Sequence, residues 1–196
     1  MHPHDSKLYS QEMEDYIVKN ASNEKVLGIG EIGLDYFYDL SDRETQKQVF
    51  CKQIVLADKL GLPIVIHTRD AWEDTLKILN DYKSYINNGL LLHCFTGSVE
   101  VMKELNKLGA YFAFGGTVTF KNANKIFDVI KAVPKDKILV ETDSPYLTPV
   151  PFRGQTNTPK MVNLVVEKLA EVLQMDRTLL EELLNQNTKN LFKKLR

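Results

Sequence analysis

The chain has 196 residues, 43% hydrophobic and 26% charged, with a formal net charge of −1. This is the composition of an ordinary globular domain, which excludes disordered, collagen-like and membrane-embedded classes and sets the expectation of one domain over residues 1–196. Near-neutrality excludes a whole-molecule field that gathers nucleic acid, so a polyanion has to be held by a local site.

"MHPHDSK" comes first, with His2 and His4 flanking Pro3 where a strand would already have ended. Five short apolar runs follow: "KVLGIGEIGLDY", "LPIVIHTRD", "GLLLHCFTG", "AYFAFGG" and "DKILVETDSP". Rich in Val, Ile, Leu and Phe, they read as strands buried on both faces, as parallel strands are. Helical patterns lie between them. Ser41 with Glu44 and Asp70 with Glu73 fit a capping side chain followed three residues later by a carboxylate. Val49, Phe50, Ile54, Ala57 and Leu60 share one face of the first long helix, which Gly61 and Pro63 end. After the last run, Thr158 and Pro159 open another helix, and a final one begins at about Arg177.

Strand–helix alternation leaves an open doubly wound sheet or a closed (β/α) barrel. Polar residues at the ends of nearly all the runs favour the barrel, where every strand aims its C-terminal end at one mouth. Glu31 and Asp35 follow the first run, His67 and Arg69 the second, His93 the third and Asp143 the fifth. A complete barrel takes about 250 residues, so the expected fold is a TIM-type α/β barrel lacking about two N-terminal strands.

Imidazoles and carboxylates converging on one mouth make a mixed nitrogen and oxygen site for Zn²⁺, Mn²⁺ or another divalent ion. Two such ions can hold both the attacking and the leaving oxygen of a phosphodiester in line, which makes hydrolysis the natural reaction class. Taken singly, each residue also has a structural reading: a satisfied strand-end histidine, a capping glutamate, a turn aspartate. Arg69 and Arg153 offer paired donors to phosphate oxygens, or salt bridges to neighbouring carboxylates. Tyr36, Phe37, Tyr38, Phe95 and Phe120 could stack a base or simply build the wall. Cys94, next to His93, reads as a packing residue.

"HPH", "GEIGLDY", "PIVIHTRDA", "LLHCFTG", "YFAFGG", "VETDSPYL" and "PVPFRG" followed by "NTP" occur in the order found in TatD-type deoxyribonucleases. The chain resembles that family of TIM-barrel metal hydrolases over essentially its whole length. The resemblance implies that Glu31, His67, His93 and Asp143 are metal ligands, with Glu31 bridging two divalent ions. It implies DNA as substrate, often degraded from its ends, with Glu31 and Asp143 central to catalysis. His2 and His4 correspond to family residues near the substrate, while the family's earlier His-x-His pair has no counterpart here. Asp35 is expected to orient a ligand from behind, and Asp143 to accept a proton from the attacking water.

Two readings therefore stand after the sequence: a metal-dependent nuclease, or an impaired chain that keeps one metal and binds nucleic acid or a partner. Cys51 and Cys94 are too few for a disulfide framework, the start is unlike a secretory or transit leader, and no run approaches the ~18 apolar residues of a span. The expected setting is the cytoplasm, with no membrane contact.

Overall fold

All five apolar runs become strands in the computed structural model of the chain, which describes residues 1–195. They are β1 (Ile29–Asp35), β2 (Ile64–Arg69), β3 (Leu90–Leu92), β4 (Tyr111–Phe114) and β5 (Ile138–Val140). The α-helices are α1 (Gln11–Asn20), α2 (Arg43–Lys59), α3 (Trp72–Asp81), α4 (Val99–Lys107), α5 (Asn124–Ala132), α6 (Val162–Leu173) and α7 (Arg177–Leu191). Among the described residues, no helix is long and apolar enough to cross a membrane. The chain divides into two compact units, one comprising Met1–His93, Leu108–Ala110 and the chain from Leu191, the other Cys94–Lys107 and Tyr111–Asn190.

In the first unit β1, β2 and β3 run parallel in that order, with Ile32 opposite Ile66 and Ile66 opposite Leu92. These side chains are fully buried, as are Leu34 and, from α2, Ile54. Each such burial is worth roughly 1.5–3 kcal/mol against exposure, and it is the reason these β-branched and leucine-rich runs form strands. The register of β1 shifts between Ile29 and Ile32, where Gly30 and Glu31 lie. An irregularity of this kind re-aims a side chain. Opposite His67, Gly33 has φ of +134°, and a Cβ there would lie 2.0 Å from the His67 carbonyl oxygen. Only glycine permits that approach of β1 to β2.

Ahead of β1, residues Pro3–Leu8 form a 3₁₀ turn with proline in its first positions. The Ser41 hydroxyl donates to the His4 carbonyl at 2.8 Å and accepts from the Lys7 N–H at 3.2 Å, fastening this turn to the loop before α2. That is not the capping role expected of Ser41. The cap of α2 is Asp42, which accepts from the Thr45 N–H at 2.9 Å. Asp70 does not cap α3 either: its φ is 53°, and the residue before the helix, Ala71, makes no side-chain cap bond.

In the second unit β4 and β5 are parallel, with Phe112 opposite Ile138 and Phe114 opposite Val140. Phe95 packs edge-on against Phe112, their ring centres 5.0 Å apart, and is buried as wall rather than offered to a ligand. On α7, buried Asn187 donates to the carbonyls of Lys135 and Ile138 at 2.8 and 2.9 Å, tying that helix to the start of β5. Pro159 occupies the first turn of a 3₁₀ segment, Pro159–Met161, that leads into α6; Thr158 precedes it without a side-chain cap bond.

Candidate metal centre

Three elements of the first unit deliver side chains to one place. Glu31 leaves β1 at its irregularity, His67 sits near the end of β2, and His93 directly follows β3, its N–H donating to the Ile66 carbonyl at 2.9 Å. Around Glu31 Oε2 stand His67 Nδ1 at 3.5 Å, His93 Nε2 at 3.6 Å and His2 Nε2 at 3.9 Å. Two ligands on one ion with bonds of ~2.1 Å lie no more than about 4.2 Å apart. All three separations fall within that limit, and the ligand atoms of His2, Glu31 and His67 lie within 4.8 Å of one another. The donor set of imidazole nitrogen and carboxylate oxygen therefore fits a divalent ion of the zinc or manganese kind.

The sequence reading sets His2 apart from the ligands and beside the substrate. In the structure the turn that begins at Pro3 leaves the His2 ring 4.6 Å from that of His67 and 4.2 Å from that of His4. Burial, then the neighbouring His67 and His4 rings, push its pKa down to about 4. Its imidazole is neutral near pH 7 and keeps a lone pair to offer.

Asp35, the last residue of β1, is 0% exposed. Its Oδ2 accepts from His67 Nε2 and His4 Nε2, both at 2.9 Å, and its Oδ1 accepts from the Phe37 and Tyr38 N–H groups at 3.1 and 2.9 Å. Burial alone would raise the carboxyl, but the bonds from Tyr38, His4 and His67 outweigh it and hold it below the usual carboxylate range. A His67 ring that offers Nδ1 to a metal must carry its proton on Nε2, and the Asp35 carboxylate is placed to accept it. His67 in turn, despite the opposing cost of burial, holds the Glu31 carboxyl below its ordinary range, with His93 and His2 adding to the effect. The anionic form of the Glu31 carboxyl is thereby favoured.

A residue with no motif of its own supports Asp35. Gln46, on α2 and fully buried, accepts from the Asp35 N–H at 2.8 Å and donates to its carbonyl at 3.1 Å and to that of Ser41 at 2.8 Å. Arg69, expected to hold phosphate or an acidic partner, lies over two rings, 3.8 Å from the centre of Phe37 and 4.9 Å from that of Tyr38.

The remaining sequence-derived residues belong to the second unit. Asp143 follows β5 with φ of 56°, and its carbonyl accepts from the Tyr146 N–H at 2.8 Å. Buried Asn157, from the "NTP" segment, donates to the carbonyls of Thr142 and Tyr146 at 2.7 and 2.6 Å and so braces that loop. Arg153 lies 3.9 Å from the centre of the Phe120 ring. The Cys94 N–H donates to Glu141 Oε1 at 2.6 Å, a carboxylate that no sequence argument singled out although it stands in "VETDSP".

The family model described as TatD related DNase matches residues 1–193. The Bacillus subtilis protein named "Uncharacterized metal-dependent hydrolase YabD" is 45% identical over 192 residues, which are 98% of this chain and 75% of that one. The Escherichia coli K12 protein named "Uncharacterized metal-dependent hydrolase YcfH" is 46% identical over 150 residues, 76% of this chain and 56% of its own length, so that match spans only a little over half of YcfH. Among solved structures, the TatD homolog YJJV of E. coli K12 superposes with a TM-score of 0.90 at 29% identity, over 98% of this chain and 74% of that one. A hydrolase TatD family protein of Entamoeba histolytica, at 22% identity and a TM-score of 0.86, shares the fold over 98% of this chain and 72% of its own. The α/β fold expected from the strand-end pattern is thus the fold of these barrel-type hydrolases.

Proposed function

Because this chain belongs to the TatD related DNase family, we propose that it hydrolyses phosphodiester bonds of DNA with divalent metal ions, releasing nucleotides from strand ends in the cytoplasm. The supporting observation is the convergence of three imidazole nitrogens on one Glu31 oxygen, each within 3.9 Å. Bound divalent ions supply positive charge that stabilises the phosphoryl oxygens and makes water a competent nucleophile near neutral pH.

This chain's residues do the rest. Glu31 would hold the ions through its carboxylate, and His67 and His93 would hold them through ring nitrogens. Asp35 keeps the His67 ring in one tautomer and orientation by accepting from Nε2. Asp143, whose role is implied by the "ETDSP" motif, would take the proton of the attacking water. Arg69 and Arg153 neutralise phosphate oxygens, since a guanidinium offers paired donors. His2 and His4 face the substrate, with His2 close enough to Glu31 to serve as a further ligand.

The test is Mn²⁺-dependent nucleotide release from single-stranded DNA by the purified chain. The expected result is release that EDTA abolishes and that Asp143→Ala lowers by about 10²- to 10⁴-fold, the range for a lost proton acceptor. A folded, metal-loaded sample that releases nothing overturns the reading.

A further inference from the structure

We propose that Phe37 and Tyr38 form a stacking platform for a nucleobase of the bound strand, built onto the same buried carboxylate that orients His67. The inference rests on the nuclease reading above and adds to it how a nucleotide is positioned.

Phe37 is 54% exposed and Tyr38 53%, adjacent in the chain and in contact with each other. They are not loose. Their N–H groups both donate to Asp35 Oδ1, their rings meet edge-on with centres 5.0 Å apart, and the His4 ring packs edge-on against Tyr38 at 5.3 Å. Arg69 lies over both rings and is itself exposed. The result is a pair of half-exposed rings anchored through their backbone, with a guanidinium over one face of Phe37.

Two facts choose a nucleobase over an apolar side chain as the occupant. The first is charge: the guanidinium beside the rings favours a ligand that carries an anion next to a flat face, as a nucleotide does. The second is linkage. Asp35 Oδ1 holds the Phe37 and Tyr38 backbone while Asp35 Oδ2 holds His67, so the loop that carries the two rings and a ring of the candidate metal centre share one anchor. Stacking is indifferent to base identity, because every base has a π face. The platform therefore gives affinity and register rather than sequence preference.

The experiment measures equilibrium binding of metal-loaded protein to labelled single strands by fluorescence anisotropy, using phosphorothioate linkages that resist cleavage. One strand carries bases and the other is its abasic counterpart. Wild type should bind the base-bearing strand more tightly, and Phe37→Ala should weaken that binding about 5- to 100-fold while leaving the abasic strand unaffected. Tyr38→Ala should act in the same direction, Phe37→Leu should resemble Phe37→Ala, and Phe37→Trp should restore binding. Equal binding of both strands by wild type, or alanine variants that bind like wild type, overturns the platform. Nucleotide release from DNA without base-dependent binding would sink the platform alone, whereas base-dependent binding without hydrolysis would sink the nuclease reading alone.

Discussion

Asp35 shows how one side chain can organise a centre without touching what the centre binds. Four donors converge on its buried carboxylate, two from imidazoles and two from backbone. Removing it should free the His67 ring to rotate and to exchange tautomers. Replacing Asp35 by Ala is therefore expected to weaken divalent-metal affinity about 10- to 100-fold, as loss of such partners does, measured by competition with a chelating dye. Gln46 works one layer further out. Gln46→Leu leaves the Asp35 N–H and carbonyl without their buried partner and should cost about 1–3 kcal/mol in urea unfolding. Asp35 stands out in the sequence as a strand-end carboxylate, but Gln46 does not: it is one polar residue on a polar helix start. Its role exists only because α2 brings it against the end of β1.

At the level of elements, the approach of β1 to β2 depends on Gly33. Gly33→Ala places a Cβ 2.0 Å from the His67 carbonyl oxygen at a φ of +134°, so the two strands must separate where His67 is held. The expected loss exceeds the ~1–3 kcal/mol of backbone strain alone. Gly61→Ala, at φ of +65° with nothing within 4 Å, is the matched comparison and should cost about 1–2 kcal/mol. Thermal melts of both variants test the difference.

A second link between elements is polar. Asp74 on α3 accepts from the Tyr36 hydroxyl at 2.6 Å and from Lys47 of α2 at 3.0 Å. These contacts, the tyrosine bond foremost, hold the Asp74 carboxyl below its ordinary value of 3.8. The folded state therefore binds this proton less readily than the unfolded chain. The contribution is complete above about pH 4 and disappears as the pH falls through the folded value. Asp74→Asn should lower stability at pH 7 by up to about 1 kcal/mol, a partly exposed pair being worth no more. The gap to wild type should narrow as the pH falls below the ordinary aspartate value, and a gap that does not narrow would assign the loss to packing instead.

For the molecule as a whole, metal binding should appear as stability. A ligand that binds only the folded state stabilises it by RT ln(1 + [L]/Kd), about 2.7 kcal/mol at a hundredfold excess over Kd. Adding Mn²⁺ or Zn²⁺ should raise the unfolding midpoint in a concentration-dependent way, with EDTA reversing it. Glu31→Ala should show no such rise, because its carboxylate oxygen is the point on which the three imidazoles converge. The net charge of −1 adds little general attraction for DNA.

By itself the sequence determined the five strands, the face of α2 that packs, and the residues with metal-binding chemistry at the strand ends. Apolar runs of strand length have to be buried, and a polar residue within or just past such a run is placed by that strand: Glu31 lies inside β1, His67 inside β2, and His93 just past β3. Glu31, His67 and His93 could be read in this way because each is anchored by its own strand. What only the tertiary structure decided depends on contacts between segments distant in the chain. The turn at Pro3 brings His2 to Glu31, and Asp35 joins His4, His67 and the Phe37–Tyr38 loop. Arg69 lies over the Phe37 ring, and Ser41 fastens the N-terminal turn where a helix cap was expected. No local pattern encodes these pairings, because a hydrogen bond or a ring contact depends on where two segments meet, and periodicity reports only which face of each is buried.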